Sequence, residues 1–174
     1  MWHVGLYRSR FGFGKSFTVI ADESQRASLV AGGLYNPVTL KRFTLAWKAK
    51  QQLELVKPFY QNLEQKLGVK VDYELPVWRK FASVEEQNLW FEAADRPGLD
   101  YFLSTTIHPN ANPAIDAPCG FGEVKYTGRV DTHTLVNAYK NYLADNGRLA
   151  KESFDYDALF VGEDSVTYKE ITAK

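Results

Sequence analysis

A mixed α/β or α+β fold is predicted by three features of this sequence. Phe17 to Ala21 form a short apolar, partly β-branched run, two later stretches carry apolar residues at helical spacing, and residues 69–75 alternate apolar with charged. Strand and helix signals therefore interleave along the chain. Its 174 residues fit one domain or two small lobes and can bury a sizeable core.

The apolar run at 17–21 lies between Gly14 and Asp22-Glu23-Ser24. It reads as a buried strand, and buried strands favour parallel pairing. Residues 24–44 hold Gly-Gly and Asn-Pro with no clear period and read as a long loop. Over 45–67, Ala49, Leu53, Val56, Tyr60, Leu63 and Leu67 share one helical stripe that Gly68 stops. Pro58 inside that stripe is expected to kink or split it. In 69–75, Val69, Val71, Tyr73 and Leu75 face one way and Lys70, Asp72 and Glu74 the other, giving an antiparallel, half-exposed strand. A second strand is expected at 77–81 after Pro76.

Ser83-Val84-Glu85-Glu86 is a capping box, with the serine hydroxyl bonding forward and Glu86 reaching back to the Ser83 amide. Its helix runs to about Asp95, with Leu89, Trp90 and Ala93 inward. Residues 104–120 are rich in Pro, Gly and Asn and read as loop, 122–127 as strand, and 128–131 as the next break. Asp131 is a good N-cap for a helix carrying Leu135, Ala138, Tyr139, Tyr142 and Leu143 and closed by Asn146-Gly147. The last 25 residues break into strand-like pieces at 153–156, 159–161, 166–168 and from Ile171.

Composition excludes several functions. Lys plus Arg and Asp plus Glu both number 21, so no net charge draws the chain to a phosphate backbone, and nucleic acid is not an expected partner. No apolar run approaches the ~20 residues of a membrane span. The basic start lacks the apolar core of a signal peptide. With Cys119 alone, no intrachain disulfide forms, and a reducing, cytoplasmic location is expected. Cys119, in a Pro-Cys-Gly loop, reads as a passive thiol. His3, His108 and His133 are far apart, so no metal site is expected.

Two glycine-rich segments invite a ligand. Ser9 to Ser16 nearly fits the phosphate-loop pattern G-x-x-x-x-G-K-[ST], but Ser9 replaces the first glycine and a strand follows, whereas a phosphate loop opens a helix. It reads as a turn before a strand. Ala27 to Val38 contains Gly32-Gly33, and such a pair allows close backbone approach to a ligand or a simple turn.

The run KSFTVIADESQRASLVAGGLYNPVTLKRFTLAWKA resembles the second strand and following loop of FAD-dependent oxidoreductases of the D-amino acid oxidase and glycine oxidase superfamily. PVWRKFASVEEQNLWF is similar to the start of that family's substrate-domain insertion, and GEVKYTGRVDTHTLVNAYKNYL to its return segment. ESFDYDAL and VTYKEITAK resemble strands that rejoin the cofactor domain. The likeness covers about residues 12–174 with the pieces in order.

The resemblance implies a partial Rossmann-like FAD-binding domain over 1–45 and 128–174, and part of an antiparallel-sheet substrate domain over 46–127. It implies that Asp22 binds the adenosine ribose hydroxyls and that Ser28, Ala31, Gly32, Gly33, Leu34 and Asn36 pass beside the flavin. Arg42, with Lys41, faces an anionic group of the substrate or is a solvated surface charge. Arg129 and Asp131 match the return motif and read as structural. The substrate would be a small amine or amino acid, oxidised by hydride transfer from its α-carbon to FAD.

The family's G-x-G-x-x-G turn is not found ahead of Asp22, where Met1 to Tyr7 carries only Gly5, and the chain ends at Lys174 before a further cofactor-contacting strand. The expectation is therefore a truncated flavoenzyme. Such a chain would bind FAD weakly by itself, assemble with missing portions of the same protein, and offer no nameable catalytic residue. The alternative is a non-catalytic remnant or assembly module without flavin.

Overall fold

The computed structural model describes residues 17–22, 24 and 27–173. The phosphate-loop-like segment Ser9–Ser16 and the stretch Met1–Tyr7 lie outside the described residues. The architecture is α+β, with several small antiparallel sheets and one parallel strand pair. Two compact units are present. One comprises the described residues up to Ser28 together with those from Tyr139 onward, and the other is Leu29–Ala138. No helix among the described residues is long and apolar enough to cross a membrane.

In the first unit, β1 (Val19–Ile20) pairs in parallel with β10 (Leu149–Ala150). Val19 N donates to Arg148 O at 2.8 Å and Ala21 N to Ala150 O at 3.0 Å. The parallel pairing expected for 17–21 is thus present, although both strand residues are half-buried rather than buried. Its partner β10 carries no alternation and escaped the sequence pattern, because a two-residue strand has no period. A meander follows: β11 (Leu159–Val161), β12 (Val166–Tyr168) and β13 (Ile171–Ala173) pair antiparallel in that order. The expected strand at 153–156 is absent. Asp155 instead caps a 3₁₀ turn at Tyr156–Ala158 by accepting from Asp157 N at 3.0 Å.

The second unit is built on two three-stranded sheets. β6 (Val77–Lys80), β8 (Phe121–Val124) and β7 (Leu103–His108) form one, with β8 central. β2 (Leu34–Tyr35), β9 (Gly128–Val130) and β5 (Asp72–Glu74) form the other, with β9 central. A hairpin of β3 (Val38–Thr39) and β4 (Thr44–Leu45) stands beside them in sequence.

Several expectations are corrected here. The long loop of 24–44 contains a short helix, α1 (Ala27–Val30), the strands β2 and β3, and the first residue of β4. Each is too brief to show periodicity. Leu103–His108 is strand rather than loop, since Thr105, Thr106 and Ile107 are β-branched and the prolines begin only at Pro109. Residues 128–131 are not a break; Gly128–Val130 is the central strand of its sheet. Helix α2 (Ala49–Leu67) runs unbroken through Pro58. One missing amide in a helix of 19 residues leaves the turns on either side intact.

The core packs α3 (Val84–Ala94) against the β6–β8–β7 sheet. Trp90 is fully buried and meets Phe43 and Phe81 edge-on, each at 5.5 Å between ring centres. Its indole N–H donates to Ser104 O at 2.8 Å. Ala93 is buried as expected, whereas Leu89 is exposed. Ser83 caps α3 by accepting from Glu86 N at 3.3 Å. The return half of the capping box is displaced by one residue. Glu86 accepts from Ala82 N at 2.7 Å, because its other oxygen is held by Arg79.

Candidate functional site

Asp22 stands two residues beyond β1, at the carboxyl end of a parallel-paired strand. That is where open α/β sheets present groups to ligands. One carboxylate oxygen accepts from Ser24 N at 3.0 Å and from the Ser24 hydroxyl at 2.5 Å; the other accepts from the Ser153 hydroxyl. These donors, Ser153 first, then the Ser24 hydroxyl and amide, pull the Asp22 carboxyl down to about 2. Asp22 is therefore an anion over the whole physiological range, and two of its three donors are serine hydroxyls, whose donor chemistry a diol shares.

Ser28 lies on α1 and is half-buried. Ala31, Gly32 and Gly33 run from that helix into β2, and their carbonyls are all engaged. Ala31 O accepts from the Thr132 hydroxyl at 3.1 Å, Gly32 O from Arg129 Nε at 3.1 Å, and Gly33 O from Val130 N at 3.0 Å. The close approach that glycine permits at Gly33 is made to the chain's own backbone. Gly33 has φ +69°, and a Cβ there would lie 1.9 Å from Val130 O. Gly32 differs, with nothing within 4 Å of the position its Cβ would take. Leu34 pairs with Arg129 and is exposed. Asn36 Oδ1 accepts from Val38 N at 2.8 Å, a local turn that opens the β3–β4 hairpin.

Arg42 is exposed in the turn between β3 and β4, where its amide donates to Thr39 O at 3.2 Å. Arg129 and Asp131 serve structure. Arg129 ties Gly32, and Asp131 caps α4 (Thr132–Asp145) by accepting from Thr134 N at 3.1 Å and the Thr134 hydroxyl at 3.0 Å. Those Thr134 bonds hold the Asp131 carboxyl below its usual range.

A second group of residues was not visible from sequence. On the β6–β8–β7 sheet, Trp78 lies opposite Glu123, and Phe121 lies opposite both Lys80 and His108. The Trp78 and His108 rings stack at 4.6 Å with 15° between planes, and Phe121 tilts against Trp78 at 5.7 Å. Glu123 Oε2 approaches His108 Nε2 to 2.7 Å, an ion pair whenever the imidazole is protonated. Buried Nε2 makes no aligned hydrogen bond. This face is opposite the core: the Gly122 position between these residues abuts Phe81 and Trp90, and Val124 is fully buried. Trp78 is 48% exposed. The strand at 77–81 was legible, but only strand pairing brings in residues from 108 and 121–123.

No protein-family profile matches the chain, and no solved structure matches it.

Proposed function

We propose that this chain carries part of the cofactor cradle of an FAD-dependent oxidoreductase of the D-amino acid oxidase and glycine oxidase type, acting on an amine or amino acid. One observation carries the reading. Asp22 sits at the carboxyl end of a parallel-paired strand, its oxygens accepting from the Ser24 amide and from the Ser24 and Ser153 hydroxyls, which hold its carboxyl down to about 2. A ribose diol offers two such donors, and an acceptor-only carboxylate suits them.

The fit to the cofactor is uneven along the chain. Asp22 suits the ribose, and Gly32 leaves room for close approach. Gly33 does not, because Val130 already fills its open side. When bound, FAD supplies the hydride acceptor. The residues of this chain contribute binding and orientation: Asp22 anchors the adenosine end, Gly32 lies on the flavin side, and residues 46–127 belong with the substrate side. The reading also takes a small-molecule substrate, a Rossmann-like arrangement around β1 and β10, and a cytoplasmic location consistent with a lone cysteine.

The test uses adenosine, which needs only the ribose contact. In ¹H–¹⁵N spectra of the purified chain, adenosine shifts the amides of Asp22, Ser24 and Ser153. Asp22→Ala or 2′,3′-dideoxyadenosine weakens binding about tenfold or more, since a hydrogen bond to a charged group contributes about 1.5–3 kcal/mol. Shifts that are absent, or indifferent to the hydroxyls, would overturn the reading and favour a module without flavin.

A further inference from the structure

We propose that the outer face of the β6–β8–β7 sheet binds a zwitterionic amino acid with a flat aromatic side chain. Trp78 stacks on the ring, Glu123 takes the ammonium and Lys80 the carboxylate. This rests on the amine or amino-acid reading above and narrows its substrate class.

The argument starts from register. Trp78 and Lys80 are two apart on β6 and share a face, about 7 Å from each other along the strand. Glu123 pairs with Trp78 and Phe121 with Lys80, so the acid and base lie on a diagonal across two strands. Diagonal neighbours stand about 7–8 Å apart at the backbone, within reach of long side chains. An amino acid bridging that diagonal presents one charge to each.

The aromatic element is preorganised. Trp78 is backed on one side by the His108 imidazole, stacked at 4.6 Å, and edged by Phe121. Glu123 Oε2 lies 2.7 Å from His108 Nε2 and pairs with it when the imidazole is protonated. The indole thus packs against both His108 and Phe121 while 48% of the residue remains open to solvent. A ring that keeps its rotamer before binding loses little entropy on binding. Aromatic rings stack offset with centroid separations of about 4.5–7 Å, the geometry already present on the His108 side.

Charge selects the ligand. Among the described residues Lys80 has no ion-pair or hydrogen-bond partner, and Glu123 Oε1 makes no hydrogen bond. A simple cation meets Lys80, and a simple anion meets Glu123. Only a ligand carrying both signs satisfies both, and the exposed indole adds a preference for a flat side chain.

The experiment follows the indole N–H of Trp78, assigned by its loss in Trp78→Phe, as phenylalanine is titrated into the ¹⁵N-labelled chain. Phenylalanine is expected to shift it with a millimolar midpoint. Cyclohexylalanine, benzylamine and 3-phenylpropionate, each lacking one of the three elements, should bind at least fivefold more weakly. Glu123→Gln and Lys80→Gln, both conservative and on the solvent face, should each lose about fivefold or more. Trp78→Leu should abolish the response as read on the Phe121 and Glu123 amides. The proposal is overturned if phenylalanine leaves the indole unmoved, if the three analogues bind equally, or if neither charge substitution changes affinity. Adenosine is read on Asp22, Ser24 and Ser153 in the same spectra. Loss of that response with a retained Trp78 response defeats the flavin reading and not the amino-acid site, and the converse defeats only the site.

Discussion

Replacing Gly33 by alanine tests whether this glycine serves a ligand or the sheet. Gly33 occupies the left-handed region at φ +69°, which costs an L residue about 1–2 kcal/mol. The added Cβ would stand 1.9 Å from Val130 O, far inside van der Waals contact. To relieve this, β2 must move away from β9, which loses the 3.0 Å bond from Val130 N to Gly33 O. That bond contributes about 0.5–1.5 kcal/mol, so the change should destabilise the β2–β9 edge by about 1.5–3.5 kcal/mol in all. Gly32→Ala is the control. With nothing within 4 Å and an ordinary φ, it should stay within about 0.5 kcal/mol of the parent. Native-state hydrogen exchange reads the effect at one site. Protection of the Val130 amide should fall roughly 10- to 300-fold in Gly33→Ala, since each 1.4 kcal/mol is tenfold. If protection stays within about threefold of the parent, the steric account is refuted and the glycine is not required by the β2–β9 pairing.

Two further predictions concern packing and acid response. Trp90→Ala removes a fully buried indole between Phe43 and Phe81 and strands the Ser104 carbonyl, so it should cost about 3–5 kcal/mol in urea denaturation of the second unit; a loss below about 1 kcal/mol would contradict the packing. The Asp22 carboxyl, held at about 2 against an ordinary 3.8, contributes stability above about pH 4 that disappears as pH falls toward 2. Carboxyl ¹³C titration should place its midpoint near 2, and Ser153→Ala should move it upward; a midpoint near 4 in the parent would show that the hydroxyl contacts do not form.

The residues that could be read in advance are those whose signal is local. Helix α2 follows from an apolar stripe with Gly68 at its end, and Gly68 does take φ +66° there. Ser83 and Asp131 were recognisable as caps because a cap bonds to amides three residues away. The strand at β6 followed from β-propensity after a proline. Asp22 as a site residue follows from the resemblance and not from the pattern, although its turn with Ser24 is local.

What the pattern missed depends on contacts between distant residues. β9 reads as a turn because it begins at Gly128, yet that glycine is needed where the Tyr35 hydroxyl comes within 2.2 Å of a Cβ position. The Tyr35 hydroxyl itself bonds Asp72, 37 residues on. Ser153 joins Asp22 across 131 residues, and no spacing rule connects them. His108, Phe121, Glu123 and Trp78 meet only through the pairing of β6 and β7 with β8. Local sequence encodes where the backbone can satisfy its own hydrogen bonds within one turn of helix or one alternating strand. Which strand satisfies which, and so which side chains face one another, is settled by closing long loops around a shared apolar core. That information is spread over the whole chain.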